Sequence, residues 1–164
     1  MSATNNPSLQ NSGPVDSEWQ GILESAAQEV FLMMAGANLF LRAPSGDSPS
    51  GEQTAMVGMA GTLCGMVSLQ CSTETAAKLA CLMLGGQAAT NRGMIADALG
   101  ELCNMVAGNF KAKIDTLADR CMLSVPTVVS GGDYFMHTLQ PSACLRAAFD
   151  YEDGVIWVLL TIHT

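Results

Sequence analysis

The stretch Asp97-Ala98-Leu99-Gly100-Glu101-Leu102-Cys103-Asn104-Met105-Val106-Ala107-Gly108 constrains the fold of this chain more than any other. At about 100° per residue, positions 97, 101, 104, 108 and 111 fall within roughly 80° of one another on a helix. They read Asp, Glu, Asn, Gly and Lys, while Ile95, Leu99, Leu102, Val106 and Phe110 gather on the opposite side. One face therefore anchors the helix to a core. The other presents a carboxylate and a carboxamide one turn apart, beside a glycine that leaves room for something to approach.

A fainter copy lies nearer the N-terminus. Ser25-xxx-Glu29-xx-Leu32-Met33-Met34-Ala35-Gly36 superimposes on Asp97-xxx-Glu101-xx-Asn104-Met105-Val106-Ala107-Gly108, with the glutamate, a methionine, the alanine and the glycine in register. Leu32 stands where the asparagine would be. The echo reads as an internal duplication in which one copy kept the polar pair and the other lost it.

The rest of the chain supports two similar halves. A helix is expected over 19–41, capped by Asp16 or Ser17, followed by a Pro/Ser/Gly loop over 42–53. Strands are expected over 54–60 and 62–71, although their glycines make both weak strand formers. Ser72-Thr73-Glu74 opens a helix that Gly85-Gly86 closes, and a linker leads to the motif helix over 94–116. Leu123 to Val129 is a β-branched run bent or edged by Pro126. Strands over 135–140, 144–151 and 155–163 follow, the last two joined by Glu152-Asp153-Gly154. This order predicts an α+β, two-layer fold with pseudo-twofold halves, each a motif helix plus antiparallel strands. Residues 18–164 read as one domain, and 1–17, rich in Asn, Ser and Pro, as a disordered tail. The continuous apolar run Val155 to Leu159 marks a strand buried on both sides, central to the sheet or paired across a dimer.

Composition narrows the function. The net charge is −8, and no cluster of Lys or Arg offers a phosphate-binding surface, so neither nucleic acid nor an anionic membrane is an expected partner. No apolar run is long enough to span a bilayer. The six cysteines form no CxxC pair and the two histidines are isolated, so no metal site is expected. Cys103, by its phase on the motif helix, points to the buried side. The cysteines suit a reducing cytoplasm, where they act as small hydrophobes.

Polar residues on a solvated helix face are the ordinary state of affairs. Asn104 is less ordinary, because Asn is a weak helix former and sits mid-helix with no cap to serve. Gly108 costs about 1 kcal/mol there relative to Ala. A carboxamide is no general base, but it can donate to and accept from a water molecule and fix where that water points. That is useful when the electrophile is already activated, as in phosphoryl transfer, where catalysis is largely positioning and electrostatics. A glutamate one turn away can hold a partner's Lys or Arg. No nucleophile, metal cage or phosphate-cradling loop accompanies the stripe, so it reads as half of an active site completed by a partner.

The Asp/Ser-xxx-Glu-xx-Asn pattern, followed by Met-Val-Ala-Gly-Asn, resembles the CheC/CheX/FliY family of chemotaxis phosphatases. The segment Leu123-Ser124-Val125-Pro126-Thr127-Val128-Val129-Ser130-Gly131 resembles that family's strand after the motif helix. With its single intact motif, the chain is more similar to CheX than to two-site CheC proteins. The resemblance implies a hydrolase that dephosphorylates the aspartyl phosphate of a CheY-type response regulator. Glu101 would pair with the receiver's lysine and Asn104 would orient the attacking water. Asp97, Gly108 and Lys111 would meet the partner, Mg²⁺ would belong to the receiver, and the chain would be a homodimer. The competing expectation is a non-catalytic receiver-binding or flagellar-switch-like module of the same fold.

Overall fold

A computed structural model describes residues 14–89, 91–132, 134, 136, 137, 139 and 141–163. The chain runs α1 (Pro14–Ala35), β1 (Phe40–Leu41), β2 (Gln53–Gly61), β3 (Cys64–Cys71), α2 (Thr73–Met83), α3 (Arg92–Ala112), β4 (Cys121–Leu123), β5 (Thr127–Ser130), β6 (Ala143–Tyr151) and β7 (Gly154–His163). All strand pairs are antiparallel, in the order β1-β6-β7-β3-β2-β4, with β5 also on β2.

This order makes the pseudo-twofold concrete. Its axis runs between β3 and β7, which pair from Cys64↔His163 to Gln70↔Trp157. The two hairpins, β2–β3 and β6–β7, flank it. Each half lends its remaining strands to the other: β1 pairs with β6, and β4 and β5 pair with β2. The helices are exchanged in the same way, α1 lying over β6 and β7 and α3 over β2 and β3. The halves are thus interleaved rather than placed side by side.

One sheet face carries the core. Ala55, Val57, Val67, Leu69, Val158, Leu160, Leu145 and Phe149 meet Leu23, Val30 and Phe31 of α1 and Leu99, Leu102, Val106 and Phe110 of α3 in one buried cluster. Trp19 packs edge-on against Phe110, with ring centroids 5.9 Å apart. The strand β7 is central and buried on both faces, the first of the two placements expected for it.

Several boundaries depart from expectation. The helix α1 starts at Pro14, inside the segment expected as tail, so Asp16 and Ser17 lie within its first turns instead of capping it. Residues 1–13 fall outside the described residues. At its other end α1 stops at Ala35 rather than Leu41. Gly36 takes φ 61°, and the Gly36 and Ala37 amides donate to Leu32 and Phe31 carbonyls, a left-handed helix stop. Freed from the helix, Phe40–Leu41 become the edge strand β1. The strand expected over 135–140 is not present at Met136 or His137, and Phe135, Thr138 and Gln140 lie outside the described residues. His137 is therefore no strand residue, whereas His163 is. Pro126 falls in a break between β4 and β5. There Ser124 holds the chain to β2, its amide donating to the Gly58 carbonyl and its hydroxyl accepting from the Gly58 amide.

Candidate functional site

The helix α3 carries the candidate residues, and its placement begins with a cap. Asn91 accepts from the Met94 amide at 2.9 Å and fixes the start two residues earlier than the apolar period suggests. Leu99, Leu102, Cys103, Val106 and Phe110 are buried as their phase demands. Gly100 faces the sheet edge: a Cβ there would lie 3.3 Å from Pro126 Cβ and 3.4 Å from Val128 Cγ2. The absence of a side chain at position 100 lets α3 rest directly on the chain at Pro126 and β5, which sets the height of the neighbouring residues.

On the outer side, Asp97 and Glu101 are exposed and Asn104 is half-buried. Among the described residues, neither Glu101 nor Asn104 has a side-chain hydrogen-bond or ion-pair partner. Each can turn its polar group fully to a visitor. Gly108 is half-buried, and a Cβ there would make only ordinary contact, 3.9 Å from Leu123 Cδ1. Asn104, Met105 and Gly108 line a cleft of about 550 Å³ with Val30 and Met33 of α1 and Leu123 of β4.

Lys111 does not join this group. Its ammonium donates to the Ala118 and Cys121 carbonyls at 2.9 and 2.6 Å, holding the turns after α3 against β4. Helical phase put Lys111 on the stripe. Its long side chain instead reaches carbonyls of the following turns and of the first residue of β4, segments whose approach phase alone does not register.

The degraded copy has been put to structural use. Glu29, the counterpart of Glu101, accepts from Asn109 Nδ2 at 3.0 Å and pairs with Lys113 at 2.9 Å. Asn109 Nδ2 also donates to the Ala26 carbonyl at 3.3 Å. These contacts clamp α1 to α3, and the Asn109 amide, followed by Lys113, holds the Glu29 carboxyl below its ordinary pKa. The sequence shows both Asn109 and Lys113, but not their convergence on Glu29, which requires knowing how α1 lies on α3.

Beneath the stripe, Cys103 is sealed in the core, its thiol near the Ala55 and Val67 carbonyls at 3.6 Å. Burial pushes that thiol up to about 12, which removes it as a nucleophile. Among the described residues no group of three or more His, Cys, Asp or Glu is assembled that could hold a metal ion. No helix among them is long and apolar enough to cross a membrane.

Comparisons with known proteins converge on one family. The family described as chemotaxis phosphatase CheX matches residues 53–150, which include all of α3. A curated relative, the CheY-P phosphatase CheX of Thermotoga maritima, is 37% identical over 79 residues, covering 48% of this chain and 51% of that protein. The chain thus spans about half the length of the curated relative it matches. Among solved structures, a chemotaxis protein of Desulfovibrio vulgaris Hildenborough has a TM-score of 0.78 at 23% identity, covering 89% of this chain and 97% of that one. The Borrelia burgdorferi CheX-CheY-BeF3-Mg complex has a TM-score of 0.77 at 22% identity, covering 89% and 98%. The fold extends to Thermotoga maritima FliY, with a TM-score of 0.63 at 15% identity, covering 93% and 91%.

Proposed function

The chain belongs to the CheX family of chemotaxis phosphatases, and from that premise we propose that it hydrolyses the aspartyl phosphate of a CheY-type receiver domain. The observation that carries the proposal is the unpartnered pair Glu101 and Asn104, one turn apart on the outer face of α3. A carboxylate and a carboxamide left without internal partners, on a helix anchored rigidly from behind, suit insertion into another protein's active site.

In this reading Glu101 accepts from the lysine beside the receiver's aspartyl phosphate and fixes the register of the complex. The Asn104 carboxamide enters the receiver site and positions a water in line with phosphorus. The water oxygen bonds to phosphorus, the phosphorus–oxygen bond to the aspartyl group breaks, and inorganic phosphate and the free aspartate carboxylate result. Mg²⁺ held by the receiver would supply charge neutralisation at the phosphoryl oxygens. The chain's own contribution is positioning. Asp97, at the first position of the pattern, and Gly108, at the cleft floor, are proposed to meet the partner. Lys111 is left out because its ammonium is engaged internally.

The same reading makes the protein a cytoplasmic homodimer. Six free cysteines suit a reducing compartment, and the exposed Phe40 and Leu41 at the β1 edge offer an apolar surface for a second copy to cover. The rival reading, a non-catalytic module that binds a receiver or serves a flagellar switch, is supported by the FliY likeness and by that with the Helicobacter pylori FliM middle domain. Decay of each phosphorylated receiver from the same cell, with and without the full chain, separates the two. Catalytic amounts should accelerate decay of at least one receiver. Binding with unchanged decay for every receiver would replace the phosphatase with the module.

A further inference from the structure

The cleft at Asn104 has a second wall that the hydrolytic step does not use. Met33 is 68% exposed and the preceding Leu32 53%, on a helix whose inner face is fully committed to the core. An exposed methionine at a polar-rimmed apolar cleft marks a surface that something covers. Their position follows from the pseudo-twofold. Leu32-Met33 occupies in α1 the place that Asn104-Met105 holds in α3, and the Glu29–Asn109–Lys113 clamp draws the two helices together. Met33 consequently shares one cleft with Asn104, Met105 and Leu123. The clamp also neutralises Glu29 at the rim, so this end of the cleft presents apolar atoms rather than a free charge.

Resting on the phosphatase reading above, we propose that Met33, with Met105 and Leu123, forms the apolar anchor that docks the receiver domain, seating an apolar patch of the receiver beside its active-site lysine. Continuity with Asn104 favours this occupant. Asn104 is short and half-buried, so any domain whose attacking water it can hold must press against the cleft that Asn104 itself lines. Under this proposal the duplicated motif divides the labour. The α3 copy keeps the polar pair for chemistry, and the α1 copy, with its asparagine position turned apolar, supplies binding surface.

Steady-state dephosphorylation by the full chain tests this, using the receiver whose decay it accelerates. Met33→Gln keeps the size of the side chain and makes it polar at an exposed position. Its KM should rise about tenfold or more, the loss expected for a buried methionine, with kcat at saturation unchanged. Met33→Leu should restore KM, and Leu82→Gln, at an exposed apolar position on α2, should leave it alone. A KM for Met33→Gln within about twofold of the parent, while Asn104→Ala still abolishes turnover, would overturn the anchor and leave the phosphatase reading standing. Full turnover by Asn104→Ala would instead sink that reading. Light scattering decides the other occupant: if Met33→Gln converts a dimer to a monomer, the cleft is covered by a second copy, and the anchor proposal is wrong.

Discussion

The β3–β7 seam joins the interleaved halves, and Gly65 tests how tight that join is. Gly65 pairs with Ile162 across the seam. A Cβ at this position would fall well inside contact with the Thr161 carbonyl oxygen, 3.4 Å from its carbonyl carbon and 3.5 Å from Ile162 Cα. The obstacle is backbone of the central strand, which cannot rotate away as a side chain could. Gly65→Ala must therefore part β3 from β7 locally. Overpacking of this kind costs about 1–3 kcal/mol, and a ladder hydrogen bond lost with it about 0.5–1.5 kcal/mol. The reduced freedom of the unfolded chain offsets about 0.4–1 kcal/mol of this. Steric conflict wins, for a net loss of about 0.5–4 kcal/mol. Urea unfolding followed by circular dichroism should show a lower midpoint at unchanged slope. In a heating experiment, each kcal/mol is worth about 2–4 °C in a domain of this size. An unchanged or higher midpoint would mean that the seam is looser than described, and that glycine at 65 serves no close approach.

Two further predictions concern the support of the site. Asn91→Ala removes the acceptor for the Met94 amide at the start of α3 and should cost about 1 kcal/mol in the same unfolding assay, with Asn91→Asp retaining the cap. Iodoacetamide applied to the folded protein near pH 8.5 should modify the exposed Cys64 and Cys144 but spare Cys71 and Cys103, as read by peptide mass spectrometry. Burial raises both spared thiols from 9.0 to about 12, assisted at Cys71 by the Glu52 charge. Because the unfolded thiols ionise first, their contribution to stability is intact below pH 9 and is lost as pH rises from 9 toward 12, where alkaline denaturation should set in.

The sequence carried the local rules faithfully. Periodicity identified the buried face of α3 from Leu99 to Phe110, with Ile95 only half-buried, the Ser72 cap opened α2, and Glu152-Asp153-Gly154 marked the last hairpin. Its errors lie where tertiary structure decides. Gly36 looked like the counterpart of Gly108 in the duplicated motif, but it ends a helix while Gly108 lies inside one. The two-residue strand β1 exists only because Asp150 and Phe149 lie opposite it, and nothing local announces that. Lys111 has the phase of the stripe and the reach to leave it. Pro126 was legible as a bend, but its role as the seat for Gly100 depends on a contact between segments that the chain does not place side by side. Met33 lies on the surface because the α1–α3 pairing leaves its side uncovered, which its place in the duplicated motif does not announce.

The claim that matters most is that Asn104 acts by positioning water and not by holding the partner. Its most direct test is the single-turnover decay of a phosphorylated receiver saturated with either parent protein or Asn104→Ala, with receiver affinity measured in parallel. Decay should fall to the receiver's own spontaneous rate, with affinity nearly unchanged and an unfolding midpoint equal to the parent's, because among the described residues the side chain has no partner to lose. Decay that stays fast in Asn104→Ala, or that recovers fully once affinity is corrected for, would contradict it.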